Sequence, residues 1–130
     1  MILFRNKEFS KKRESIISIV KSVCPIIIPK CKEEINGDMP NINTLKTLFR
    51  NWKTNIANEI YNIEKDNVEN YIIMNDIING IQIYQIELDE EKITINVEPN
   101  KRLFDTFPPY QFWSLEFSKT GKFLGITSGD

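Results

Sequence analysis

From Leu45 onward, apolar residues recur at steps of three and four: Leu45, Leu48, Phe49, Trp52, Ile56, Ile60 and Ile63. That spacing predicts one α-helix from about Asn43, a plausible N-cap, to Ile63, with a single apolar stripe. A stripe of about five turns demands a facing surface, and the chain supplies one after Gly80. There the period changes to two. Ile81, Ile83 and Gln85 are expected on one side of a strand, with Tyr84, Ile86 and Leu88 on the other. Ile93, Ile95 and Val97 alternate with Thr94 and Asn96, and Asp89-Glu90-Glu91-Lys92 between the two runs has turn chemistry. A second hairpin is expected where Trp113, Leu115 and Phe117 alternate with polar residues, turn at Lys119-Thr120-Gly121-Lys122, and return through Phe123–Thr127. Helices first and strands later predict an α+β fold. The expected architecture is N-terminal helices packed on one face of a curved antiparallel sheet of about four or five strands.

The remaining segments fit this frame. Phe9, Ile16, Ile17, Val20 and Val23 predict a first helix over about Glu8–Val23, ended by Pro25. Gly37-Asp38-Met39-Pro40 reads as a turn. Residues 66–80 carry two signals. Asp66 and Glu69 resemble a capping box and Gly80 a helix end, whereas Tyr71-Ile72-Ile73-Met74 fits a buried strand; the i,i+4 pairs tilt the reading to helix. Phe49, Trp52, Trp113 and Phe117 are assigned to the core. With 130 residues and no repeat or linker, residues 1–130 read as one globular domain.

The residues that usually state a reaction are missing. The chain has no histidine, the side chain that most often does proton transfer near neutral pH. It has no glycine-rich phosphate loop, no nucleophile elbow and no metal-ligand spacing, so no catalytic residue, metal or cofactor is expected. Cys24 and Cys31 are spaced so that a disulfide is conceivable, but the expected cytoplasmic location favours two partly buried free thiols. No apolar run approaches membrane-spanning length, and charge follows too soon after Met1 for a secretory signal, so no membrane association and a cytoplasmic location are expected. The 22 Ile and 14 Asn against one Ala fit AT-rich coding, which favours Ile, Asn and Lys alike.

Charge is distributed unevenly beneath a net −1. Residues 59–98 hold ten acids against two bases, a balance of −8; residues 1–58 hold eleven bases against five acids, a balance of +6. Glu87, Asp89, Glu90 and Glu91 gather at the first hairpin tip, and Glu64, Asp66 and Glu69 at the end of the long helix; Tyr84 is close to the first group. These are the candidate partner-binding residues. An acidic patch speeds encounter with a basic protein and rejects wrong partners, and Tyr suits an interface that needs apolar area and a hydroxyl. The plain alternative is two ordinary solvated surfaces. Lys11-Lys12-Arg13 is the one basic run, but the acidic overall balance argues against a nucleic-acid partner. Two further readings remain open. Asp76 with Glu90-Glu91-Lys92 is similar to the acid and Glu-x-Lys set of metal-dependent nucleases, and a sheet under a long helix can enclose a small-molecule pocket.

The closing run Phe112-Trp113-Ser114-Leu115-Glu116-Phe117-Ser118-Lys119-Thr120-Gly121-Lys122-Phe123-Leu124-Gly125 resembles the strand–turn–strand endings of small immunity proteins of bacterial polymorphic toxin systems, such as contact-dependent growth inhibition. The resemblance implies a cytosolic inhibitor that binds a cognate protein toxin, often a nuclease with a basic cleft, and needs no catalysis of its own. It is a resemblance of strand pattern, so it assigns no binding residue.

Overall fold

The computed structural model describes residues 2–7, 18–19, 22, 33–35, 42–66, 74–88, 91–100, 107 and 111–129. Six strands form one sheet: β1 (Ile2–Lys7), β2 (Glu33–Ile35), β3 (Ile81–Leu88), β4 (Lys92–Pro99), β5 (Phe112–Ser118) and β6 (Phe123–Gly129). Three helices, α1 (Ile42–Arg50), α2 (Trp52–Glu64) and α3 (Met74–Gly80), lie between β2 and β3 in sequence. The spatial order is β2-β1-β3-β4-β5-β6.

The expected α+β architecture is present. β3, β4, β5 and β6 are consecutive antiparallel neighbours, and both hairpins form where the alternation placed them. β1 and β2 extend the sheet with parallel pairing, β1 against β3 and β2 against β1. These two strands were not legible in the chain. Three apolar residues before Arg5 and a three-residue Glu33–Ile35 segment give too short an alternation to read. A parallel pair also needs a long crossover, so its strands are never adjacent in sequence.

The helical stripe is real but broken. Asn51 leaves the helical conformation (φ −125°, ψ 38°), so the expected single helix becomes α1 and α2. The apolar spacing carries through this break. Leu45 and Phe49 of α1 and Trp52, Ile56, Ala57 and Ile60 of α2 are buried in one cluster with Ile83, Ile86, Leu88, Ile93, Ile95, Val97, Trp113, Leu115 and Phe117 of the sheet. All four aromatics assigned to the core are in it. Ile19 packs against the same cluster, and Ser18, Ile19 and Ser22 are helical; the rest of the expected Glu8–Val23 helix, with Cys24 and Cys31, lies outside the described residues. Of the ambiguous 66–80 segment, Met74–Gly80 is helix and runs directly into β3, while residues 67–73 lie outside the described residues.

One expected facing is corrected. Ile81 and Ile83 were placed opposite Ile86 and Leu88, yet all four are buried in the same cluster. The register shifts between Ile83, which opposes Val97, and Gln85, which opposes Asn96, so Tyr84 is an extra residue in β3. A bulge of this kind advances the alternation by one and turns the next side chains over. Gln85 therefore joins the face away from the helices. A second shift, where Glu116 opposes Gly125 and Phe117 opposes Phe123, leaves Leu124 as the extra residue of β6, 55% exposed. Two bulges bend the strands they interrupt and help the sheet curve around its helical layer.

Candidate functional site

The sheet has two unlike faces. Alternation in β4 sends Ile93, Ile95 and Val97 into the core and Lys92, Thr94, Asn96 and Glu98 to the other side. In β5 the same rule sends Ser114 and Glu116 outward beside them. β3 contributes Gln82, and, after its bulge, Gln85 and Glu87.

Cross-strand bonds tie this face together. Asn96 Nδ2 donates to Gln85 Oε1 at 2.8 Å and Ser114 Oγ donates to Asn96 Oδ1 at 2.6 Å, a line across three strands. Gln82 Nε2 donates to Glu98 Oε1 at 2.8 Å. Lys92 Nζ meets Glu116 Oε1 at 2.9 Å, both side chains substantially exposed. Thr94 and Asn96, on β4, are buried. Among the described side chains the face carries Glu87, Glu98 and Glu116 against Lys92.

Tyr84 sits at the acidic end of this face with 36% of its surface exposed. Burial, then Glu98, then Glu87 hold its hydroxyl pKa above the ordinary phenol value of 10.0. The shift carries spatial information: two carboxylates separated by eleven positions in sequence act on one ring. A bulge residue and its neighbour share a side of the sheet, which is how Tyr84 comes to lie with Gln85, Glu87 and Glu98.

The candidate residues fare unequally. Glu87 and Tyr84 come together on this face, and Glu91 is exposed at the hairpin tip; Asp89 and Glu90 of the same tip lie outside the described residues. The second group does not form as expected. Asp66 is exposed past the end of α2 and Glu69 lies outside the described residues, but Glu64 is buried, only 7% exposed. Its Oε1 accepts the indole N–H of Trp113 at 3.0 Å. Glu64 is thus corrected from surface acid to internal partner of the largest core side chain. Its position in the helical series 56, 60, 64 was the missed signal, because an acid that continues an apolar stripe faces the core. Glu98 and Glu116 were missed as site residues for a different reason: only strand pairing brings them beside Glu87.

The described members of the nuclease-like set, Asp76, Glu91 and Lys92, do not come together; Glu90 lies outside the described residues. Asp76 lies in the first turn of α3, which feeds the start of β3, whereas Lys92 follows its far end. Seven residue steps along β3 separate these ends by about 23 Å. Among the described residues no group of three or more His, Cys, Asp or Glu is arranged to hold a metal ion. No helix of the described residues is long and apolar enough to cross a membrane.

Opposite this acidic face, between the helices and the β5–β6 turn, lies a cleft of about 560 Å³ with asparagine and threonine walls. Comparison with family models, with curated proteins and with solved structures finds no match, so the two sites rest on their own geometry.

Proposed function

We propose that this chain is a cytoplasmic immunity-type protein that binds and neutralises a basic protein toxin, docking it on the sheet face away from the helices. The supporting observation is Tyr84 beside Glu87 and Glu98 on a hydrogen-bonded surface of the sheet opposite α1 and α2. The acids attract a cationic cleft from a distance, since clustered like charge steers encounter. The half-exposed ring supplies apolar contact once the surfaces meet. The cross-strand bonds hold the surface in one shape, so little side-chain entropy remains to be lost on docking. Inhibition by coverage requires no reacting group on the inhibitor, in keeping with a chain that has no histidine.

The test is to identify a neighbouring gene with a variable C-terminal domain, co-express that domain with this chain, and measure association kinetics on the purified pair. The intact chain protects the host cell and associates rapidly at low salt. Glu87→Lys with Glu98→Lys slows association by about tenfold or more and flattens its salt dependence, leaving dissociation less changed. Association that is indifferent to both reversals removes this face as the docking site.

A further inference from the structure

Asn51, Asn55, Asn58 and Asn62 follow one another along α2 and its junction at steps of four, three and four, and all are exposed. Those steps place them on one side of the helix. Asparagine is a poorer helix former than lysine by several tenths of a kcal/mol per residue. AT-rich coding does not account for the choice, because it favours lysine equally. Amides differ from ammonium groups in a way that matters for binding: each both donates and accepts, and none carries charge.

Asn55 and Asn58 of this row, with Glu59, form one wall of the cleft; Thr47 of α1 and Thr120 of the last turn line it as well, and Phe123 contributes an aromatic ring. Its volume falls in the range of small-ligand sites. Among the described residues, the side chains of Asn55, Asn58, Glu59 and Thr47 have no hydrogen-bond partner within the protein. Phe123 meets Phe117 edge-on, with centroids 5.7 Å apart and planes at 63°, and stays half-buried. The turn that closes the cleft is set against α1. Gly121 has φ +91°, and a Cβ there would stand 3.3 Å from the Thr44 methyl, so glycine permits both the turn and the close approach.

The lining excludes several ligand classes. It contains no cation, and Glu59 repels anions, which disfavours phosphates and nucleic acid. A purely apolar ligand would strip water from amides and hydroxyls without replacing their hydrogen bonds. What satisfies neutral two-way hydrogen-bonding groups beside an aromatic ring is a molecule with many hydroxyls and an apolar C–H face. We propose that this cleft binds a neutral oligosaccharide. Asn55 and Asn58 bond ring hydroxyls, the Glu59 carboxylate accepts from another, and the sugar's C–H face rests on Phe123.

The test is a ¹⁵N-resolved NMR titration of the intact chain with cellotriose, maltotriose and chitotriose, the last distinguishing acetamido from plain hexose units. A neutral glycine-serine peptide and an oligothymidylate serve as competing ligand classes. The expected result is saturable binding of at least one saccharide, with shifts centred on Thr47, Asn55, Asn58 and Thr120. The double variant Asn55→Ala, Asn58→Ala, whose sites are exposed, keeps the native spectrum and loses about tenfold or more in affinity. The proposal is overturned by no saturable shift with any of the three, by shifts centred elsewhere, by binding that the double variant leaves unchanged, or by peptide or oligothymidylate occupying the cleft in place of saccharide. None of these outcomes bears on toxin binding, which uses the opposite side of the sheet.

Discussion

The two faces of the sheet are built from the same strands, yet they do different work. The inner face is a continuous layer of Ile, Leu, Val, Phe and Trp under α1 and α2, and Glu64 of α2, buried against it, accepts a hydrogen bond from Trp113. The outer face is a line of amides, a hydroxyl and carboxylates bonded across β3, β4 and β5. The inner face gains its stability by leaving water, and its geometry is set by volume. The outer face gains little stability from its partly exposed charges. On the proposed binding function, this separation would let substitutions that tune recognition on one side cost little folding energy.

The largest effects should therefore come from the inner face. Trp113→Ala removes the largest fully buried side chain and strands the Glu64 carboxylate; urea unfolding should show a loss of about 4 kcal/mol. Next is Glu64→Ala, which leaves the indole N–H buried without an acceptor and should cost about 2 kcal/mol. Glu64→Gln keeps an acceptor at the same place, so most of that loss should be recovered. Equal destabilisation by Gln and Ala would mean that charge, not the hydrogen bond, matters there.

Outer-face changes should be smaller. Lys92→Ala or Glu116→Ala breaks an ion pair whose side chains are 40% and 44% exposed, and should change stability by about 0.5 kcal/mol or less, with the difference fading in high salt. A larger loss would show that the outer face also holds the fold together. The smallest effect concerns pH. Tyr84 retains its proton above 10.0 in the folded chain, while an unfolded tyrosine releases it near that value. The folded state is thus fully favoured by this group below pH 10 and loses that advantage as pH rises through the folded pKa. Phenolate absorbance should show a late-titrating component that disappears in Tyr84→Phe, and Glu98→Gln should bring it back toward the ordinary value.

How far these faces could be read from the chain follows from the range of the forces involved. The stripe through Leu45 and Ile60 and the alternation through Ile93 and Val97 are local patterns, and both led to the observed elements. The bulge at Tyr84 is not local. It answers the need to bury Ile81, Ile83, Ile86 and Leu88 together, and simple alternation had divided that set. Glu64 was misplaced because charge outweighed periodicity in reading it, whereas the fold obeyed periodicity and supplied a donor from position 113. The acidic face was half legible: Glu87 and Tyr84 lie three positions apart in the chain, but Glu98 and Glu116 join them only through strand pairing.

The amino-acid order alone determined the two hairpins, the helical stripe, the burial of Phe49, Trp52, Trp113 and Phe117 and the scarcity of groups that perform acid–base chemistry, because each depends on residue type or on spacing within a few positions. Tertiary structure decided the parallel pairing of β1 and β2, the break at Asn51, the reversal of facing at Tyr84 and the pairing of Glu64 with Trp113. The strand pairings, the reversal and the Glu64–Trp113 bond join segments distant in sequence, and burial of a shared apolar surface selects them over what local preference would favour.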